Sequence, residues 1–214
     1  MTDLAAFLER LNDLHDHICP RQVLGVRMGI YAAELLGLDL PQHDKRVYTF
    51  VETDGCFADG VMVATGCALG HRTMHLMDFG KVAATFVDTQ TERAFRIAPH
   101  VLSRARAAEH EPDAKSRWHA QLAAYQVMPL SVLFHAEPVL ITVSLKALIS
   151  RPGVRVTCAH CGEEILNQRE VVMGGEILCQ SCAGSSYCTP LVQPEPVLTA
   201  MPDIGRGVEN CIET

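Results

Sequence analysis

The stretch Asp54-Gly-Cys-Phe-Ala-Asp-Gly-Val-Met-Val-Ala-Thr-Gly-Cys-Ala-Leu-Gly70 leads from a predicted strand into a short apolar run and carries two cysteines. The run predicts a helix over residues 57–65 that begins beside Cys56 and ends at Gly66, with Cys67 just beyond it. Both thiols are therefore expected at the ends of an element, where a scaffold usually carries its chemistry. On these two residues alone we favour burial as inert core cysteines, because free cysteine is among the most buried residue types.

Composition excludes several classes of protein. The 214 residues allow one full domain and a small appendage, and 48% hydrophobic content is enough for an ordinary core. A net charge of −7 argues against a nucleic-acid partner, and the apolar runs are too short to span a membrane. The N-terminal residues lack a basic signal region. Nine cysteines then favour a reducing, cytoplasmic setting with metal ligands or redox groups.

A second cluster of ligand-type residues precedes the first predicted strand. Leucines at helical spacing predict an amphipathic helix over residues 4–14. The proline of His15-Asp-His-Ile-Cys-Pro20 suits the first position of a second helix, which is expected to end at Gly37. Cys19 then lies at a helix N-terminus, where N–H groups and the macrodipole favour thiolate. His17 adds another good metal ligand, although a lone histidine there is more often bonded to backbone.

The middle of the chain predicts a sheet. Residues 47–53 and 82–88 are rich in β-branched and aromatic residues, residues 93–98 alternate, and residues 139–143 form a buried-strand pattern that closes the core. Helices precede and interrupt these strands. The order helix, strand, helix and three further strands predicts an α+β core with a mixed sheet and helices packed on one face.

The remaining segments suggest how the chain is divided. A helix is expected over residues 113–125, with Trp118, Leu122 and Tyr125 on its packed side. We assign residues 1–150 to the core domain, 151–190 to a zinc-finger domain and 191–214 to an extended, proline-rich tail.

The strongest chemical signal is a pair of CxxC motifs, Cys158-Ala-His-Cys161 and Cys179-Gln-Ser-Cys182. A short hairpin around residues 173–175 separates them. Two such knuckles converge on one ion, so the spacing predicts a structural zinc site with four thiolates. An uncoordinated dithiol pair and a rubredoxin-like iron site are the alternatives. Cys188 and Cys211 lie outside the knuckles and are not expected to be ligands.

Five motifs that follow one another along the chain resemble a known family. They are His15-Asp-His-Ile-Cys-Pro20, Gly25-Val-Arg-Met-Gly29, Glu52-Thr-Asp-Gly-Cys56, Thr65-Gly-Cys-Ala-Leu-Gly70 and Asp78-Phe-Gly-Lys81. Together they resemble the FmdE family, named after a component of molybdenum formylmethanofuran dehydrogenase, over roughly residues 14–143. Treble-clef or ribbon-type zinc fingers like the predicted one also occur in that family.

The resemblance carries expectations about the site. It implies an α+β core that dimerises and a cleft that carries His17, Cys19, Cys56 and Cys67. It places Asp59 and Lys81 close by, and these two with Cys19 are the candidate catalytic residues. A lysine at position 81 is by default a solvated surface group, but near thiolates it would hold an anion or lower a thiol pKa.

Three functions are open at this point. The first is a metal-binding protein that carries zinc in its finger and a second ion, zinc or another transition metal, bound by His17, Cys56 and Cys67. Such a protein would be accessory to a molybdenum or tungsten formylmethanofuran dehydrogenase or a similar metalloenzyme. The second is a thiol redox protein that uses Cys19 with Cys56 or Cys67. The third is a docking module whose core cysteines are structural.

Overall fold

The computed structural model describes residues 4–149 and 153–191. The chain divides into two compact units, Met1–Ser150 and Arg151–Thr214. Apart from its first residue, the predicted extended tail lies outside the described residues, and so does Cys211. No helix in the described ranges is long and apolar enough to cross a membrane.

The first unit combines helices and strands. Its helices are α1 (Leu4–Asn12), α2 (Pro20–Leu36), α3 (Cys56–Thr65), α4 (Ser103–His110), α5 (Arg117–Val127), α6 (Leu130–Leu133) and α7 (Leu145–Ile149). Its strands are β1 (Val47–Val51), β2 (Met74–Leu76), β3 (Ala84–Asp88), β4 (Ala94–Pro99) and β5 (Phe134–Pro138). The predicted ends of the second and third helices are confirmed, because Gly37 and Gly66 both cap them in the left-handed conformation.

The five strands of this unit form one mixed sheet in the order β2-β1-β3-β4-β5. β1 runs parallel to β2, with Thr49 opposite Met74. The other neighbours pair antiparallel. The parallel pair is joined through α3, as a parallel connection requires a crossover. The predicted α+β class with a mixed sheet is therefore confirmed.

Both faces of the sheet are covered. Val47, Val51 and Phe86 belong to the main core cluster together with residues of α2 and α5. Tyr48 and Phe50, which alternate with them along β1, pack on the opposite side with Leu145 of α7. All five residues of β1 are accordingly buried, as is typical of a strand covered on both faces.

Helices α2 and α3 cross at very short range because glycines lie at the crossing. A Cβ atom on Gly25 would lie 2.8 Å from the nitrogen of Val61 and 2.9 Å from the Cα of Gly60. A Cβ on Gly60 would lie 3.0 Å from the nitrogen of Val26. Such distances leave no space for a side chain. The starts of both helices, which carry Cys19 and Cys56, are thereby brought together.

In the second half of the core, one prediction is wrong and another is confirmed only in part. Residues 139–143 form no strand. The fifth strand ends at Pro138, and the apolar run crosses the second face of the sheet, where Val139 and Ile141 pack while Leu140 is 92% exposed. The helix predicted over 113–125 is present as Arg117–Val127, and its Leu122 and Tyr125 pack on the core as predicted. Trp118, however, is 43% exposed rather than packed. The apolar pattern indicated burial but could not say against which surface.

The second unit contains two short hairpins. β6 (Arg155–Thr157) pairs with β7 (Glu164–Leu166), and β8 (Val171–Met173) pairs with β9 (Glu176–Leu178). The glycines at 174 and 175, which form the second turn, both have positive φ. This is the requirement of a tight type I′ hairpin, so the hairpin expected around 173–175 is present.

Candidate functional site

The four cysteines of the CxxC pairs meet at one point in the second unit. Cys158 follows β6 directly and Cys179 follows β9 directly. The N–H of Ala159 donates to the carbonyl of Ile177 at 2.8 Å and fastens one hairpin to the other. The Sγ atoms of Cys158, Cys161, Cys179 and Cys182 all lie within 4.8 Å of one another.

The spacing of these sulfurs fits zinc. Zinc–sulfur bonds of about 2.3 Å in a tetrahedron require sulfurs about 3.8 Å apart, and the Sγ atoms of Cys161 and Cys179 are 3.9 Å apart. The N–H of Cys179 donates to the Sγ of Cys158 at 3.3 Å, and the N–H of Cys182 donates to that of Cys179 at 3.3 Å. Such N–H donors stabilise thiolates that bind a metal.

The thiols at this site have opposite pKa shifts. Backbone N–H groups of Cys161 and Cys179 lower the pKa of Cys158 to about 6. The neighbouring Cys179 thiol raises the pKa of Cys182 to about 12. Four sulfurs so close together cannot all carry negative charge unless a cation lies between them. The site therefore has the chemistry of a closed, structural zinc centre.

In the core, two thiols meet where two helices begin. Cys19 is the N-cap residue of α2, and Cys56 is the first residue of α3. The N–H of Cys19 donates to the side-chain oxygen of Gln22 at 2.6 Å, and Gln22 is buried. Burial, and next the neighbouring Cys19 thiol, raise the pKa of Cys56. The structure thus brings together two thiols that are 37 positions apart in the sequence.

An acid–histidine pair lies next to these thiols. Asp59 follows Cys56 by three residues and so shares its side of α3. The Oδ2 atom of Asp59 is 2.9 Å from the Nε2 atom of His15, and both side chains are partly buried. This contact fixes the loop before Cys19 against the first turn of α3, where the helix dipole also favours the carboxylate.

The other predicted cleft residues lie elsewhere. Cys67 is 1% exposed and donates its thiol to the carbonyl of Val47 at 3.2 Å, and burial raises its pKa. It follows the end of α3, whose ten residues span about 15 Å, so it lies far from Cys56. His17 and Lys81 are exposed.

The predicted ligand set His17, Cys56 and Cys67 is therefore not assembled in this structure. Across residues 4–149 and 153–191, ligand atoms of three or more metal-binding side chains converge only at the four cysteines of the second unit. The physical reason is the helix between Cys56 and Cys67, because a straight helix holds its two ends apart.

An apolar groove of about 360 Å³ borders the site. It lies between α3 and β2. Met62, Leu69 and Met74 are among its apolar lining residues, and Asp54 and Asp59 are its charged groups. The groove gives the Asp59 end of α3 a concave surface large enough for a small organic group.

The family model described as FmdE, molybdenum formylmethanofuran dehydrogenase operon, matches residues 14–135, more than half of the chain. This chain belongs to the FmdE family. The matched range contains His15, the thiol pair, Asp59 and the groove. A second family model, the prokaryotic dksA/traR C4-type zinc finger, matches residues 152–188, which include all four clustered cysteines. Both resemblances expected from the sequence are confirmed.

Two known proteins are similar to this FmdE family member. A probable S-adenosyl-L-methionine-binding protein from Archaeoglobus fulgidus is 38% identical over 97 residues, which cover 44% of this chain and 26% of that protein. The chain thus spans about a quarter of that relative. The crystal structure of a tungsten formylmethanofuran dehydrogenase FmdE-like protein from Syntrophus aciditrophicus has the same fold. Its TM-score is 0.60 at 20% identity, with 88% of this chain and 96% of that chain covered.

Sequence reasoning missed the role of His15. The motif that begins at His15 contains two histidines, and the prediction chose His17 because the resemblance places that residue in the cleft. The partner of His15 is Asp59, 44 positions away, and no spacing rule connects residues so distant in sequence. The only signal in the sequence was the repetition of a histidine at every second position before Cys19.

Proposed function

We propose that the core of this FmdE family protein binds a transition-metal ion through Cys19 and Cys56. We further propose that the protein is accessory to a molybdenum or tungsten formylmethanofuran dehydrogenase or a related metalloenzyme. The metal proposal is carried by the close crossing of α2 and α3, which places Cys19 and Cys56 next to each other at the starts of the two helices. The partner proposal is supported by the description of the family and by the fold shared with an FmdE-like protein of a tungsten formylmethanofuran dehydrogenase.

The donor set suits a soft or borderline metal. Two thiolates and an imidazole are ligands for zinc, iron or copper, whereas magnesium and calcium prefer oxygen. Cys19 and Cys56 provide the sulfurs; exposed His17, two residues before Cys19, does not converge with them in this structure and would have to turn toward them to add the nitrogen. Cys67 is left out of this set because it is buried beyond the other end of α3.

The proposed core site differs from the zinc finger in having few protein ligands. A closed set of four cysteines leaves no position for substrate, so its zinc is structural. Two or three protein ligands leave open positions where a small molecule or a partner's side chain can bind. The groove beside Asp59 provides space for such a ligand.

Elemental analysis of the full chain tests the metal proposal. We expect two metal ions per chain in the native protein and one in Cys56→Ser, because this change removes one sulfur of the pair. Cys67→Ser is the matched control and should retain two. Cys179→Ser should lose the structural zinc and keep the core ion.

A native protein that binds one ion per chain, and none after Cys179→Ser, would overturn the core site. Loss of the core ion in Cys67→Ser but not in Cys56→Ser would overturn the choice of ligands. Co-purification of the tagged full chain with a large molybdenum or tungsten enzyme tests the partner. Its absence, under conditions that keep both metals bound, would contradict the accessory role.

A thiol redox function is the second candidate, and the same proximity of the two thiols favours it. Here Cys19 and Cys56 form a disulfide while a small-molecule disulfide accepts two electrons and two protons and leaves as two thiols. Titration against mixtures of oxidised and reduced glutathione, followed by mass analysis of the peptides, should then give a reversible Cys19–Cys56 bond. A metal-loaded protein that forms no such bond would exclude this function.

A further inference from the structure

We propose a second ligand site at the other end of α3, a pocket that binds the phosphate group of a small molecule. It lies between the loop that precedes β1 and the loop that joins α3 to β2. Its volume is about 420 Å³. Its lining residues include His43, Lys45, Gly66, His71, Arg72 and Thr73.

Backbone contacts hold the two loops side by side. The N–H of Gln42 donates to the carbonyl of Thr65 at 3.0 Å. A Cβ on Gly66 would lie 3.0 Å from the ring of His43, so only glycine allows this close approach. The rings of His43 and His71 then meet edge to face, with centroids 6.2 Å apart. One histidine from each loop therefore lines the same pocket.

The charge of the pocket indicates an anion. Lys45 and Arg72 add two fixed positive charges to the histidine pair, and none of its described lining residues is acidic. This concentration of positive charge occurs in a chain whose net charge is −7. A lysine and an arginine have no lone pair for a metal at neutral pH, so they argue against a cation site. Both recognise phosphate oxygens well.

The backbone holds the two cationic residues in an unusual conformation. Lys45 and Arg72 have φ of 65° and 60°, a region that few residues other than glycine adopt. The carbonyl of Lys45 accepts a hydrogen bond from the hydroxyl of Thr89 at 3.1 Å, and the N–H of Arg72 donates to the carbonyl of Leu69 at 2.9 Å. These contacts fix the two turns from which the cationic side chains leave the backbone at the edge of the pocket.

The pocket is independent of the proposed core metal site. α3 separates them, and its ten residues span about 15 Å. Failure of the metal proposal would therefore leave this pocket unaffected, and the reverse also holds. At about 420 Å³ the pocket has room for more than phosphate alone, and the ligand proposed here is a phosphate monoester with a small organic body.

Calorimetric titration of the full chain with orthophosphate and with adenosine monophosphate tests the site. We expect saturable binding that weakens with added salt, since exposed charges are screened. Lys45→Asn removes the charge while asparagine tolerates the left-handed backbone. We expect it to weaken binding by roughly tenfold, the usual value of one charge-assisted hydrogen bond.

Lys115→Asn is the matched control, because Lys115 is exposed and does not line the pocket. It should bind within about twofold of the native chain. His71→Ala is a second variant that should also weaken binding. Tighter binding of the monophosphate than of orthophosphate supports a phosphate monoester as the ligand. Equal or weaker binding of the monophosphate would overturn the organic part of the ligand and leave phosphate itself. No saturable binding of either probe up to about 10 mM, or equal binding by Lys45→Asn and the control, would overturn the proposal.

Discussion

The two thiol sites of this protein are built in opposite ways. The four cysteines of the second unit come from residues 158–182, and two short hairpins bring their sulfurs together. The core pair, Cys19 and Cys56, lies at the starts of two helices that cross over glycines, Cys19 as the N-cap residue of α2 and Cys56 as the first residue of α3. One site depends on local turns and the other on the packing of a large core.

The contrast between the two sites shows what maintains each of them. The second unit has a small core. Among its described residues, the buried apolar ones are Cys158 and Ile165. A unit with so small a core needs its metal to fold. The core unit has a sheet covered on both faces, so its thiols are positioned whether or not an ion is bound.

Removal of zinc should have the largest effect, and only on the second unit. Structural zinc contributes on the order of 10–16 kcal/mol of binding free energy to units of this kind. We expect Cys179→Ser to abolish amide-exchange protection within residues 153–191, while the amides of β1 and β3 stay protected. Hydrogen exchange followed by mass spectrometry measures both units in one sample.

Cys188→Ser is the control for that experiment, because Cys188 is exposed and lies outside the four-sulfur cluster. It should keep its zinc and its protection. Unfolding of the core together with the second unit in Cys179→Ser would contradict the contrast between the two sites.

A methyl group at the helix crossing should affect the core alone. Gly60→Ala gains about 1 kcal/mol of helix propensity, but its Cβ would lie 3.0 Å from Gly25 and Val26 backbone atoms. Its nearest contact would be the backbone carbonyl of Gln22, which cannot move aside easily. Overpacking should therefore cost the upper end of its usual range, about 3 kcal/mol, and we expect a net loss of about 2 kcal/mol in urea unfolding. Gly70→Ala, where a Cβ meets no atom within 4 Å, should be neutral. Equal stability of the two variants would show that the crossing can relax.

Acid should weaken the core through Asp88. Its carboxylate pairs with Arg46 at 2.8 and 3.0 Å and also accepts from Thr91 and Gln90. The Arg46 guanidinium holds the pKa of Asp88 well below its usual range. A lowered folded pKa gives stability that is complete above the unfolded pKa of about 3.9 and is lost as the pH falls toward the folded value.

Asp88→Asn should therefore lose about 1–3 kcal/mol at pH 7, the cost of leaving a charged hydrogen-bond partner unpaired. The difference in free energy of unfolding between Asp88→Asn and the native chain should stay constant above about pH 5 and shrink below about pH 4. Urea midpoints across that range measure it. A difference that grows as the pH falls would contradict the assignment.

Much of the fold followed from local patterns. The glycines after Leu36 and Thr65 correctly predicted where α2 and α3 end, and runs of β-branched residues correctly predicted β1 and β3. Strand β2 was missed because three residues, Met74–Leu76, carry too little pattern to recognise. The run at 139–143 was misread because an apolar segment that covers a sheet looks the same as one that joins it.

For the sites, the sequence alone determined the zinc finger, because all four ligands lie in knuckles whose geometry is local. It also placed Cys19 and Cys56 at helix starts, which capping and strand patterns specify. Only the tertiary structure decided which of the core residues meet. The crossing of α2 and α3 brings Cys19 to Cys56 and His15 to Asp59, while the length of α3 keeps Cys67 away. Contacts between distant residues depend on the packing of whole elements, which no local spacing encodes.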